Sequence, residues 1–195
     1  MTRSTHSLTP DYFTELYASN PDPWGFTTSA YEQAKYEATL ASLGQANYAE
    51  ALEVGCSIGV LTRRLAERCG RLLALDVAPS ALEAAQARCA DCPQVAFLRA
   101  AVPAEWPPGR FDLIVLSEVL YFFTPEDLAG IADHLVAALK PGTEVVLVHW
   151  LGETNYPVSA DDAVETIIAR TRDHLEPHRQ ERTDRYRLDV LRARA

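Results

Sequence analysis

No apolar run in this 195-residue chain approaches the roughly 18 residues that a membrane-spanning helix needs. The first residues, Met1-Thr-Arg-Ser-Thr-His-Ser7, lack the apolar core of a secretory signal. The four cysteines (Cys56, Cys69, Cys89 and Cys92) lack the spacing of a disulfide framework, so reduced thiols in a cytoplasmic protein are expected. Cys89 and Cys92 form a C-x-x-C with no second pair to complete a zinc site, and no metal is expected. Internal repeats and low-complexity linkers are absent as well. Basic residues are scarce where they would matter for nucleic acid. Residues 1–169 carry 10 Lys and Arg against 22 Asp and Glu, whereas residues 170–195 carry 8 against 5. Binding to nucleic acid rests largely on neutralising phosphates, so an acidic body disfavours it. A cationic or sugar-like small molecule suits such a surface better. The arginine-rich stretch from Arg179 to Arg187 alternates in sign, and Tyr186, Leu188 and Val190 alternate like a strand; a solvated edge strand is expected there.

What is present fits one domain, residues 1–195, in a monomer or weak dimer. A hydrophobic content of 48% and a charged content of 23% are ordinary for a globular protein. A chain of this length can bury about 70% of its unfolded surface, enough for a core without staples. The most informative stretch is Ala51-Leu-Glu-Val-Gly-Cys-Ser-Ile-Gly-Val-Leu-Thr62, followed by an apolar run that closes on Asp76. An apolar strand enters a glycine turn and leaves it as an amphipathic helix. Gly55 and Gly59 allow the sharp turn and the close approach of a ligand to the backbone. A dinucleotide site wants G-x-G-x-x-G around a pyrophosphate. Here Ser57 replaces the middle glycine, and Glu53 stands where its charge would repel a pyrophosphate and attract an amino group. S-adenosylmethionine has a ribose for Asp76, an ammonium for the acidic turn and no phosphate.

The rest of the chain alternates strand and helix. Strands are expected at Glu50–Val54, Arg71–Val77, Val95–Arg99, Phe111–Ser117 and Thr143–Trp150, and one or two more in the tail. Helices are expected at Val60–Cys69, from Pro79 to about Ala90, from Thr124-Pro-Glu-Asp127 to Leu139-Lys-Pro-Gly142, and from Ser159 to about His174. The third of these has a hydroxyl cap, a proline and first-turn acids. Such alternation implies an α/β fold with a doubly wound, mostly parallel seven-stranded sheet. Before it lies a preface, residues 1–45, with helical segments at Pro10–Ser19 and Ser29–Leu43 around an aromatic loop, Asn20-Pro-Asp-Pro-Trp-Gly-Phe26. This helical lid can lie over the C-terminal edge of the sheet, where ligands bind. Trp24 could cover a bound adenosine or meet a sulfonium, and its neighbours could equally be packing the helices onto the core.

The order E-x-G-x-x-x-G, an acidic end to the second strand, Phe111-Asp-Leu-Ile-Val-Leu-Ser-Glu-Val-Leu-Tyr121 and Leu139-Lys-Pro-Gly142 resembles class I S-adenosylmethionine-dependent methyltransferases. More narrowly, Asp22-Pro-Trp24, Tyr31-Glu32, Glu53-Val-Gly-Cys-Ser-Ile-Gly59, Ser117-Glu-Val-Leu-Tyr121, His149-Trp150 and Tyr156-Pro157 resemble the rhizobial nodulation protein S family. Members of that family N-methylate the deacetylated end of a chitooligosaccharide. The resemblance implies a Rossmann-like fold, S-adenosylmethionine as cofactor, and Trp24, Glu53, Gly55, Cys56, Ser57, Gly59, Asp76, Val77, Ala101, Val102 and Ser117 around it. One departure stands out: after the third strand, Leu98-Arg-Ala-Ala-Val102 lacks the acidic residue that many methyltransferases place near the adenine. The acceptor is expected to be a small molecule, an amino-sugar, oligosaccharide or similar amine, with a sugar or natural-product hydroxyl as the alternative. A non-catalytic domain that binds the cofactor is a further alternative, and an NAD-dependent reductase fits Ser57 and Glu53 badly. Glu118 and Tyr121 after the fourth strand and His149 at the end of the fifth are the expected catalytic residues, His149 because imidazole titrates near neutrality, at about 6.5.

Overall fold

The computed structural model describes residues 2–194; Met1 and Ala195, the ends of the expected domain, lie outside the described residues. Two preface helices, α1 (Pro10–Ser19) and α2 (Ala30–Ser42), precede the sheet. Each begins on a side-chain cap, Thr9 accepting from the Tyr12 amide and Ser29 from that of Glu32. There follow β1 (Tyr48–Val54), α3 (Val60–Leu65), β2 (Cys69–Asp76), α4 (Pro79–Arg88), β3 (Val95–Arg99), β4 (Phe111–Ser117), α5 (Pro125–Ala137), β5 (Leu139–Trp150), α6 (Ala160–Thr171), β6 (Leu175–Arg182) and β7 (Tyr186–Ala193).

The strands form one sheet in the order β3-β2-β1-β4-β5-β7-β6. The first five are parallel, and β7 pairs antiparallel with both β5 and β6. Parallel strands covered on both faces need apolar side chains on both sides. β4 meets that need: Ile114 and Leu116 pack on one face with Leu128, Ile131 and Leu135 of α5 and Val164 and Ile167 of α6. Leu113 and Val115 pack on the other with Tyr36, Leu61, Leu65 and Ala81. The order of connections reverses between β1 and β4, which opens a crevice at the C-terminal ends of the strands.

Three expectations need adjustment. The helix after the glycine turn is short: α3 ends at Leu65, one 3-10 turn covers Ala66–Arg68, and β2 begins at Cys69 rather than Arg71. β5 begins at Leu139, so Pro141 and Gly142 lie within it, beside a register shift between Phe111 and Leu113. The strand bearing Tyr186, Leu188 and Val190 is not the edge. Leu188 and Val190 are fully buried because β7 lies between β5 and β6, and the solvated edge is β6.

Candidate functional site

A cavity of about 410 Å³ occupies the crevice, within the range usual for small-molecule sites. Its floor comes from strand ends: Glu53 to Gly55 at the end of β1, Asp76 and Val77 at the end of β2, Ala101 and Val102 after β3, Ser117 and Glu118 at the end of β4 and Trp150 at the end of β5. Its roof comes from the preface, with Phe13, Tyr17, Trp24, Phe26, Glu32 and Lys35 among the lining residues.

At one end the glycine turn wraps a carboxylate. Asp76 is 9% exposed, and accepts from the Ser57 amide (2.8 Å) and the Ala78 amide (2.9 Å). Gly55 takes φ +79°, and an added Cβ would press on Val119 at 3.3 Å. Ser57 adopts φ +51°, which L-residues rarely tolerate without support; here the Tyr17 hydroxyl bonds to the Ser57 hydroxyl. Glu53 is buried, and its Oε2 has no hydrogen-bond partner. Burial pushes Glu53 up to about 7, with nearby Asp76 adding to the rise. Trp24 stacks on Phe26 at 5.4 Å and meets Tyr17 edge-on at 5.9 Å. Their loop is fixed by Asp22, whose carboxylate accepts from the amides of Phe26 (2.7 Å) and Thr27 (3.0 Å).

At the other end three donors converge on Glu118, itself held at φ +58° by a bond from its amide to the Val148 carbonyl (2.8 Å). Lys35 donates to Oε1; the Tyr121 hydroxyl and the Trp150 amide (3.1 Å) donate to Oε2. Lys35 also donates to Glu32 Oε1 (3.1 Å). Burial opposes the Lys35 charge, but the carboxylates of Glu118 and Glu32 outweigh it and hold the ammonium above its ordinary value. Burial raises Glu32 against the pull of Lys35. Arg185, from the turn between β6 and β7, lies over the Tyr31 ring at 3.5 Å.

Trp24, Glu53, Gly55, Cys56, Ser57, Asp76, Val77, Ala101, Val102, Ser117, Glu118 and Tyr121 all lie on the cavity wall. Two expected residues do not. Gly59 caps α3 at φ +78° with its Cα facing α4; a Cβ there would sit 2.8 Å from the Ala85 Cα. Its freedom serves helix packing rather than the approach of a ligand. His149 is fully buried and is not among the lining residues. Its Nε2 accepts from the Leu120 amide (3.1 Å), its ring meets Tyr121 edge-on at 5.5 Å, and burial drives it down to about 3. A neutral ring that is already an acceptor for backbone anchors the turn after β4 and does not face the cavity. Sequence reasoning passed over Glu32 and Lys35 as site residues. Their i,i+3 spacing on a helix with buried Tyr36 and Thr39 was the available signal. Among the described residues no group of three or more His, Cys, Asp and Glu is arranged to hold a metal, and no helix is long and apolar enough to cross a membrane.

Comparison with known proteins agrees with this architecture. The pattern of the family described as Nodulation protein S (NodS) matches residues 13–175. Nodulation protein S of Sinorhizobium fredii is 37% identical over 129 residues, which cover 64% of this chain and 59% of that protein. Its counterpart in Bradyrhizobium diazoefficiens is 33% identical over 150 residues, 76% of this chain and 72% of that one. The chain thus matches less than two thirds of the first relative's length. The crystal structure of the N-methyltransferase NodS from Bradyrhizobium japonicum, in complex with S-adenosyl-L-homocysteine, superposes with a TM-score of 0.81 over 95% of this chain and 99% of that chain, at 24% identity.

Proposed function

This chain belongs to the nodulation protein S family, and we propose on that premise that it is an S-adenosylmethionine-dependent methyltransferase that methylates the nitrogen of a small amine, an amino-sugar or a deacetylated oligosaccharide end. The observation that carries the reading is that carboxylates stand at both ends of one cavity: Asp76 and Glu53 at the glycine turn, and Glu118 with Glu32 of α2, both on the Lys35 ammonium, at the end of β4. The residues fit the cofactor. Asp76 offers ribose hydroxyls a carboxylate already aimed by two amides. Glu53 Oε2, buried without a partner, suits an ammonium, and Gly55, where a Cβ would press on Val119, brings bare backbone to the cavity wall. Bound there, the cofactor supplies a sulfonium-activated methyl group as electrophile.

The protein's remaining task is positioning and proton handling. An amine held in line about 3–3.5 Å from the methyl carbon gains most of its rate from orientation, and it must be neutral to attack. Residues 1–45 serve as the lid: Trp24 and Tyr17 cover the glycine-turn end, and Lys35 ties α2 to the end of β4. Solvent exclusion beneath that roof strengthens the carboxylate–ammonium attraction. Incubation with S-adenosylmethionine and glucosamine oligomers should add one methyl to the product mass. Reaction with N-acetylated oligomers alone would point to the hydroxyl alternative.

A further inference from the structure

Beside the end of β4 the cavity holds a buried carboxylate, Glu32, whose one partner among the described residues is the Lys35 ammonium, which it shares with Glu118. Both oxygens of Glu118 already accept donors, Lys35 on one and Tyr121 and Trp150 on the other. His149 presents no atom to the cavity. Glu32 gives Oε1 to Lys35, but its Oε2 has no hydrogen-bond donor aligned on it, although Lys35 Nζ lies 2.9 Å away. Glu32 is only 8% exposed and lines the cavity. An arriving ammonium would supply Oε2 with the aligned donor that Lys35, shared with Glu118, does not provide.

We propose that Glu32, on the lid helix α2, receives the acceptor's ammonium group and takes its proton. The proposal rests on the amine reading above and assigns its proton acceptor. The step is a simple transfer. One N–H bond of the ammonium breaks, an O–H bond forms on Glu32 Oε2, and the electron pair stays on nitrogen, which becomes the neutral nucleophile. The proton then leaves to solvent when the product departs.

The surroundings support the role. Lys35, Tyr31 and Tyr36 on α2, Glu118 and Tyr121 beyond β4, and Arg185 from the β6–β7 turn are the charged and titratable groups around Glu32. Two carboxylates share the single ammonium of Lys35 in direct contact, while the Arg185 guanidinium is drawn onto the Tyr31 ring, so Glu32 keeps room for a cationic acceptor. Burial raises Glu32 above its ordinary value against the pull of Lys35, the direction that favours taking up a proton.

The test is Glu32→Gln, assayed with a β-1,4-linked glucosamine tetramer across pH 6–9, beside calorimetry of tetramer and of S-adenosylhomocysteine. The tetramer should bind E32Q at least about tenfold more weakly, while S-adenosylhomocysteine binds within about twofold of wild type. At pH 7 kcat/KM should fall by about 10²–10³-fold, and the deficit should narrow as rising pH deprotonates the amine in solution. Glu32→Asp should restore part of both binding and rate, and it stands in if E32Q fails to fold. E32Q matching wild type in tetramer binding and pH profile, while wild type methylates the amine, overturns the assignment of Glu32 alone. Wild type that neither binds nor methylates the tetramer overturns the amine reading and this assignment with it.

Discussion

Lys35 on α2 and Glu118 at the end of β4 are 83 residues apart in sequence, and the ammonium of the first donates to the carboxylate of the second inside the cavity. The lid helix is thereby fastened to the strand whose end carries the expected acceptor-binding residues. Removing one partner of a buried ion pair leaves the other charge uncompensated, at a cost of about 3–5 kcal/mol.

Lys35→Met should therefore lower stability by about that amount and loosen α2. The double variant Lys35→Met/Glu118→Gln should recover part of the loss, since it removes one of the stranded charges. Thermal melts of the two variants check this; equal losses would show that the pair is not coupled.

His149 behaves as scaffolding. His149→Gln keeps an acceptor within reach of the Leu120 amide and should retain activity within a few-fold. His149→Ala leaves that amide unpartnered and should cost about 1–3 kcal/mol of stability. Its depressed titration adds a pH signature. The unfolded chain takes up the His149 proton below about 6.5, whereas the folded ring stays neutral until about 3. Stability from this group is complete above pH 6.5 and is lost as pH falls towards 3. Denaturant melts of wild type and H149Q at pH 7 and pH 5 should differ in that direction. A folded H149Q that loses 100-fold in rate would return the histidine to the chemistry.

Glu53 carries the opposite sign. Its folded value near 7 lies above the ordinary value of 4.5, so its contribution to stability is complete below 4.5 and is lost as pH rises through 7. Ionised Glu53 attracts an ammonium, and S-adenosylhomocysteine should bind more tightly at pH 8 than at pH 6. Glu53→Gln should flatten both trends. A calorimetric titration with the same pH dependence in E53Q would take Glu53 out of the ammonium role.

Asp76→Asn keeps the size of the side chain but loses its charge. Cofactor affinity should fall by about 1.5–3 kcal/mol, the scale of hydrogen bonds to a charged group. Unchanged affinity in a folded variant would remove Asp76 from the ribose position.

Much of this site was legible in residues that are close together. The run from Glu53 to Gly59 and the acid ending β2 announce a strand, a tight turn and a ligand, because those constraints act over a few residues. The apolar run Phe111–Ser117 announces a strand buried on both faces. What stayed hidden depends on distant pairing. Nothing local in Tyr186–Ala193 says that it inserts between β5 and β6. The alternation that suggests an edge is equally that of a strand whose neighbours come from elsewhere. His149 has the residue type and strand-end position of a base, and only the fold reveals that its Nε2 accepts from the Leu120 amide and that the ring lies off the cavity wall. Glu32 and Lys35 look like an ordinary surface pair until α2 is laid over β4. Gly59 does take a left-handed conformation, but its close neighbour is Ala85 of α4 and not the cavity.

The most direct measurement is the position of the transferred methyl. S-adenosylmethionine labelled with ¹³C at its methyl group, incubated with the protein and a glucosamine tetramer, should yield a product whose labelled carbon correlates by NMR with the C2 proton of a terminal sugar, as a methyl on nitrogen must. A labelled methyl on a ring or hydroxymethyl oxygen, or labelling only of N-acetylated sugars, would contradict the account.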